Sequence, residues 1–253
     1  MIQELIRNPW FRPVRSLGRG LAGRWPWPVS ARLRDGRRMF VDLRSGVGRA
    51  IFAKGEFDPA VFEPLRAVLK PGGTFLDIGA NVGYYSMMAL DLVGASGHVH
   101  AFEIDPRPLR CLRRTIQSER ISNWHLHELA LGDTCGMLSL MRESDSGHSW
   151  VQPKKSDGNR VPVATLDEWY DIFGRPRIDA VKIDVEGFEP AVLRGAKEVL
   201  TMQRPLVVCE AVPGFSERHG FPPDATRELL ESFGYTTSLL DGAWSPTLVG
   251  RAR

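Results

Sequence analysis

Thr74-Phe75-Leu76-Asp77-Ile78-Gly79-Ala80-Asn81-Val82-Gly83-Tyr84-Tyr85-Ser86 is the stretch that decides the fold. Phe75, Leu76 and Ile78 supply the apolar run of a buried parallel strand, and Pro71-Gly72-Gly73 marks the turn that starts it. Gly79 follows at once, where a residue without Cβ takes positive φ and lets a ligand approach the backbone. Asn81 tolerates the left-handed region and suits the same bend, while Gly83 lets the next helix pack closely on the strand. A dinucleotide fingerprint aligned on Gly79 requires glycine where Asn81 and Tyr84 stand. S-adenosyl-L-methionine (SAM) carries no phosphate and tolerates this bend. Its cationic amino and sulfonium groups favour a nearby acid such as Asp77.

Two further segments repeat the pattern of strand, acidic end and helix. Gly97 to Pro106 closes an apolar strand on Glu103, twenty positions after Gly83. In doubly wound sheets a carboxylate there offers two acceptor oxygens to a ribose diol. Asp105-Pro106 then starts a helix with Leu109, Leu112 and Ile116 inward. Ile178 to Ala196 runs through Lys182, Asp184, Glu186 and Gly187 into a helix opened by Pro190. Alternation sets Lys182 and Asp184 on one side of that strand and Ile183 and Val185 on the other. Asp184 and Glu186 therefore reach the carboxyl edge, where open α/β sheets hold their chemistry, although Asp184 also suits Lys182 as a buried ion partner.

Asp77 to Ser86, Phe102-Glu103, Ala130-Leu131-Gly132-Asp133, Thr165-Leu166-Asp167, Val181 to Gly187 and Leu193-Arg194-Gly195-Ala196 together resemble the FkbM-type SAM-dependent methyltransferases. The resemblance runs from about Gly55 to Glu210 and implies a Rossmann-like class I methyltransferase fold. That is a mostly parallel seven-stranded sheet between helices with a C-terminal antiparallel hairpin, here preceded by an N-terminal accessory segment. It implies SAM as cofactor and O-methylation of a hydroxyl on a sugar, glycan or natural-product acceptor. Asp77, Gly79, Asn81, Gly83 and Glu103 are expected to line the cofactor, with Glu128 and the Ala130 backbone near the adenine. Residues 1–54 are assigned to the accessory or cap segment and 55–253 to the methyltransferase domain.

An alcohol must lose a proton when it is methylated, so a base is needed. Glu186 is the preferred contact for the acceptor, because the step past the strand end turns it towards the mouth. Asp184, Glu210 and His148, the last in a polar loop over residues 142–160, are the other candidates. Asp184 and Glu210 on adjacent strand ends raise the question of a hard cation, but no third ligand is evident and no metal is assigned. A nicotinamide-dependent oxidoreductase and a non-catalytic nucleotide-binding module remain as alternatives.

With 253 residues and 43% hydrophobic content the chain buries a full core. Cys111, Cys135 and Cys209 are isolated and odd in number, which suits a reducing cytoplasm and argues against a zinc site or a disulfide framework. The first residues carry no signal-peptide pattern, and no stretch is long enough to span a bilayer. Asp35-Gly36 predicts a hairpin, residues 57–69 a helix, 124–131 a third strand of the sheet, 136–141 an edge-like fourth, and Tyr235 to Arg251 the terminal hairpin. Residues 1–10 could form a short helix and residues 18–30 an irregular link.

Charge is concentrated at the start. Eleven arginines against Glu4, Asp35 and Asp42 make the first fifty residues +8, leaving −5 for the rest of a chain whose net charge is +3. Trp10, Phe11, Trp25 and Trp27 are interleaved with them. This mixture suits peripheral attachment to an anionic membrane face or a lipid-linked acceptor. The arginine runs are too short to favour nucleic acid.

Overall fold

A computed structural model describes residues 25–142, 149–152 and 159–253. The chain begins with a hairpin, β1 (Val29–Arg32) and β2 (Arg38–Val41), then α1 (Gly46–Lys54) and α2 (Pro59–Val68). The first half of the main sheet follows as β3 (Thr74–Ile78), α3 (Tyr84–Val93), β4 (His98–Phe102), α4 (Pro106–Glu119) and β5 (Trp124–His127). A smaller excursion contains β6 (Ala130–Leu131), β7 (Gly136–Arg142), β8 (Ser149–Gln152) and β9 (Arg160–Ala164). The second half comprises α5 (Leu166–Ile172), β10 (Ala180–Ile183), α6 (Glu189–Arg194), α7 (Lys197–Met202), β11 (Leu206–Glu210) and α8 (Pro213–Glu217). It ends with α9 (Ala225–Ser232), β12 (Tyr235–Leu239) and β13 (Thr247–Ala252).

The main sheet has seven strands in the order β12-β13-β11-β10-β3-β4-β5. Its five central and edge strands from β11 to β5 run parallel, and β13 enters antiparallel between β11 and β12. The order reverses between β3 and β10, which makes their carboxyl ends the switch point where such sheets take ligands. Side chains alternate across the sheet. Phe75, Val99 and Ala101 meet α2, α3 and α4 on one face, while Leu76, Ile78 and Phe102 meet α5, α6, α7 and α9 on the other.

Local signals explain most helix starts. Ser45 caps α1 by accepting from Gly48 N at 2.9 Å, and Asp105 caps α4 by accepting from Arg107 N at 2.8 Å. Thr165 and Glu168 form a capping box on α5, and Asp167 accepts from Glu198 N and Val199 N at 2.9 and 3.0 Å, binding α5 to the start of α7.

Several expectations change. Residues 124–131 do not form one strand: β5 ends at His127, and β6 leaves to pair with β9. The segment 136–141 is no fourth strand of the main sheet but part of β7 in a separate four-stranded sheet, β6-β9-β7-β8. The polar loop expected over 142–160 contains β8 and the start of β9 within its described residues, since a partner strand supplies ladder hydrogen bonds that local polarity does not reveal. The helix α1 was not anticipated. Residues 1–24, including the expected first helix, and His148 lie outside the described residues. The N-terminal hairpin is joined to the main body: Phe40 N donates to Thr115 Oγ1 at 2.8 Å, and Ala31, Met39 and Val41 share a core with Leu65, Met87 and Leu112.

The bend after β3 is sterically tight. A Cβ on Gly79 (φ +77°) would lie 1.9 Å from the Asp184 carbonyl oxygen, and one on Gly83 would lie 2.4 Å from Leu112 and 2.5 Å from Trp124. Gly83 therefore fits α3 against α4 and β5 more than against its own strand. Replacing Gly79 by Ala combines strained φ with a backbone collision, so a loss of at least about 2 kcal/mol is expected, or about 4–8 °C in Tm. Thermal unfolding of the variant beside the parent checks it, and an unchanged Tm would contradict the close strand contact.

Candidate active site

The carboxyl ends of β3, β4, β10 and β11 open into one cavity of about 360 Å3. Phe102, Ile104, Ala130 and Leu131 line one end, Gly79, Asn81 and Glu103 the middle, and Asp58, Asp184, Glu210 and Trp244 the other end. Glu186 and Trp150 are also on its wall. The size falls within the range of small-molecule sites.

Glu103 is held by the backbone. Its Oε2 accepts from Asn81 N at 2.8 Å, and its Oε1 from Ile104 N and Asp105 N at 2.7 and 2.8 Å. Asn81 donates from a left-handed residue (φ +52°), so the bend foreseen at this position serves to aim an N–H at the carboxylate. Oε1 thereby has both lone-pair sites engaged, while Oε2 keeps one free to accept from a ligand hydroxyl. Burial pushes Glu103 up to about 7 against the pull of these N–H groups.

Beneath the bend lies an ion relay, buried at Asp77 and Lys182 and open to the cavity at Asp184. Lys182 Nζ is 3.1 Å from Asp184 Oδ2 and 3.7 Å from Asp77 Oδ1, and it sits 5.0 Å from the centre of the Tyr85 ring. Burial opposes the ammonium, but Asp184 and Asp77 outweigh it and raise its pKa. Asp77 is 0% exposed and its Oδ2 accepts from Ser86 Oγ and N at 2.6 and 3.1 Å. It is off the cavity wall and joins β3 to α3 and β10.

The turn after β10 is built for display. Glu186 (φ +58°) and Gly187 (φ +98°) are both left-handed, and a Cβ on Gly187 would lie 2.2 Å from the Phe215 carbonyl oxygen. The buried Glu189 staples this turn, its Oε1 accepting from Val185 N at 2.8 Å and Gly187 N at 3.2 Å. His219 Nε2 lies 3.3 Å from the Glu186 carbonyl oxygen and donates to it. Glu210 stands beside Asp184, and burial followed by the Asp184 charge pushes its carboxyl well up.

The small sheet forms the opposite wall. Asp105, the cap of α4, also accepts from Arg142 Nε at 3.0 Å and from the Ser149 hydroxyl, clamping β7 and β8 over the cavity. This places Trp150, with the Arg218 guanidinium 4.9 Å from its ring centre.

Of the residues singled out by sequence, Gly79, Asn81, Glu103, Ala130, Asp184 and Glu186 share the cavity wall. Gly83 instead fits α3 against α4 and β5. Glu128 is half exposed and paired with Arg113 on the outer surface, away from the cavity. His148 falls outside the described residues. Asp58, Trp244 and Glu189 were not singled out. Asp58 reads locally as a helix start and Trp244 as a hairpin loop, and only tertiary folding joins them, through Trp244 N donating to Asp58 Oδ2 at 2.8 Å.

The 2-O-methyltransferase NoeI of Sinorhizobium fredii (strain NBRC 101917 / NGR234) is 32% identical over 154 residues, covering 53% of this chain and 62% of that protein. The chain thus aligns with less than two thirds of that relative's length. Among solved structures, a Methyltransferase FkbM from Methylobacillus flagellatus KT superposes with a TM-score of 0.51 at 17% identity, over 94% of this chain and 59% of that one. A Precorrin-6y C5,15-methyltransferase from Geobacter metallireducens GS-15 superposes with a TM-score of 0.52 at 17% identity, over 85% and 97%. At such identity the likeness is one of fold. The Methyltransferase FkbM domain matches residues 77–237, which run from the end of β3 into β12 and hold most of the cavity wall, and the chain belongs to the FkbM methyltransferase family.

Proposed function

We propose that this protein is a SAM-dependent O-methyltransferase acting on a hydroxyl of a sugar, glycan or natural-product acceptor. The observation that carries the reading is Glu103, gripped by three backbone N–H groups at the end of β4 and facing a cavity that continues past Gly79 to the β10 edge. The residues fit the cofactor: Glu103 would accept from the ribose diol, Ala130 and Ile104 would flank the adenine, and the wall beyond Gly79 includes Asp58, Asp184 and Glu210. When bound, SAM supplies an electrophilic methyl group on a sulfonium.

The chain's contribution is positioning and proton removal. Glu186, turned to the cavity by its left-handed backbone, orients the acceptor hydroxyl and takes its proton. Asp184 is held by Lys182, so its part is to shape the cofactor side. Trp150, Trp244 and Phe57 offer aromatic walls to a ring-bearing acceptor and keep water out. The 2-O-methyltransferase name of the relative supports oxygen as the atom methylated.

The Glu103 carboxyl, with a pKa raised to about 7, makes a pH prediction. Ribose hydroxyls need an ionised acceptor pair, so SAM affinity should weaken as pH falls from 8 to 6, and Glu103→Gln should flatten that dependence. Isothermal titration with SAM and with NAD reads both. Tight NAD binding without SAM binding would favour an oxidoreductase, and a pH dependence that persists in the variant would remove Glu103 from the ribose.

Glu186→Gln should lower kcat by about 10²–10⁴-fold, the usual contribution of a positioned base, while SAM affinity stays nearly intact. Assays with a panel of hydroxylated acceptors measure it. A variant with the parent's kcat would exclude Glu186 and turn attention to Glu210 and His148.

We also propose that the arginine- and tryptophan-rich start approaches an anionic surface. No helix among the described residues is long and apolar enough to cross a membrane, while Trp25 and Trp27 are 52% and 59% exposed. Each basic residue near such a surface contributes about 1 kcal/mol at most, and salt weakens the attraction. Co-sedimentation with anionic vesicles should therefore fall with ionic strength and with removal of residues 1–30. Equal sedimentation of both chains under all conditions would refute this role.

A further inference from the structure

Asp58 has an environment that the fold does not explain. It precedes α2 with φ 33° and ψ 71°, a left-handed conformation that is sparsely populated by residues with side chains. Aspartate before a helix ordinarily accepts from the first-turn N–H groups, yet this side chain makes no capping hydrogen bond. The residue is 5% exposed. Its Oδ2 accepts from Trp244 N at 2.8 Å, but its buried Oδ1 has no hydrogen-bond partner among the described residues.

A buried carboxylate oxygen left unsatisfied is costly, more so when the group is charged. On a residue that lines the cavity, such an atom calls for a donor brought in by the ligand. Lys182 is the only lysine or arginine on that wall among the described residues, and it is engaged with Asp184 and Asp77. The same wall presents Asp184 and Glu210, the latter held towards its protonated form by burial and the Asp184 charge, and no free cation among the described residues, so this end of the cavity suits a ligand that brings one. The adenosine half of the cofactor is assigned to the Glu103 and Ala130 end, and the amino-acid chain leaves the ribose on the side opposite the adenine. Bound in that direction it would extend from the β4 end past β3 towards the β10 and β11 ends, and the wall on that side includes Gly79, Asp184 and Asp58.

We propose that Asp58, presented by its left-handed backbone and by Trp244, is the residue that binds the α-ammonium group of the methionine end of SAM. This rests on the assignment of the cavity to SAM. Two far parts of the chain, the start of α2 and the loop between β12 and β13, then close on the cofactor together. Removing the acceptor charge should weaken amino-acid-bearing ligands while sparing the adenosine half.

The test is calorimetric and needs no acceptor. Asp58→Asn keeps the shape and tolerates the left-handed φ, and Asp58→Ala serves as a second variant. Each is titrated with SAM, with S-adenosylhomocysteine, which keeps the ammonium, and with 5′-methylthioadenosine, which lacks the whole amino-acid end. Both variants should lose about ten- to a hundredfold in affinity for the first two ligands and leave methylthioadenosine binding unchanged. Equal losses for all three ligands would mean that Asp58 only supports the wall, and unchanged affinity for all three would assign Oδ1 to the acceptor, so either result overturns the proposal. Failure of the parent protein to bind SAM at all would instead reject the cofactor assignment itself, and this inference with it.

Discussion

The ion relay Asp77–Lys182–Asp184 is the constraint on which the rest of the site depends. Lys182 and Asp77 face each other in register on neighbouring central strands, and Asp184 lies two residues further along. Lys182 and Asp77 are tolerated in so apolar a setting because each has a partner, and removing the acids would leave an uncompensated ammonium in the core. The relay thereby locks the ends of β3 and β10 together where the strand order reverses. Gly79 completes the junction, because only a residue without Cβ can sit against the Asp184 carbonyl.

Above this junction the backbone takes on most of the work. Asp58, Asn81 and Glu186 all have positive φ and all line the cavity, and each belongs to a different segment. Residues with side chains enter that region only when the surroundings over-determine them. Asn81 spends its conformation on aiming an N–H at Glu103. Glu186 is held in its turn by Glu189 below and His219 beside it. The result is a set of carboxylates whose directions are fixed before a ligand arrives, as a positioning enzyme requires.

The small sheet gives the cavity its second wall through a single residue. Asp105 caps α4 and receives Arg142 and Ser149, so one carboxylate serves a helix start and the docking of β7 and β8. These contacts outweigh the effect of burial and hold its pKa below the usual value. It stays ionised at neutral pH, which keeps the wall and its Trp150 in place.

The sequence by itself determined the sheet, the glycine bend, the acid at the β4 end and the acidic turn after β10. These signals are local: a run of apolar residues, a glycine where the chain must turn, a proline or aspartate where a helix starts. Sequence spacing could also set Lys182 and Asp184 on one face, because strand alternation needs no knowledge of the neighbours. It could not show that Asp77 serves this relay and not the cavity, since that depends on which strand lies beside β3. Nor could it separate β6 to β9 from the main sheet, because short strands take their identity from partners distant in the chain. Only the tertiary structure decided that Gly83 fits α3 against α4 and β5, that Glu128 faces outward, and that Asp58 and Trp244, 186 positions apart, meet at the mouth. The physical reason is the same in each case: burial and hydrogen-bond satisfaction are properties of the assembled neighbours, and a residue's own type fixes only what it requires of them.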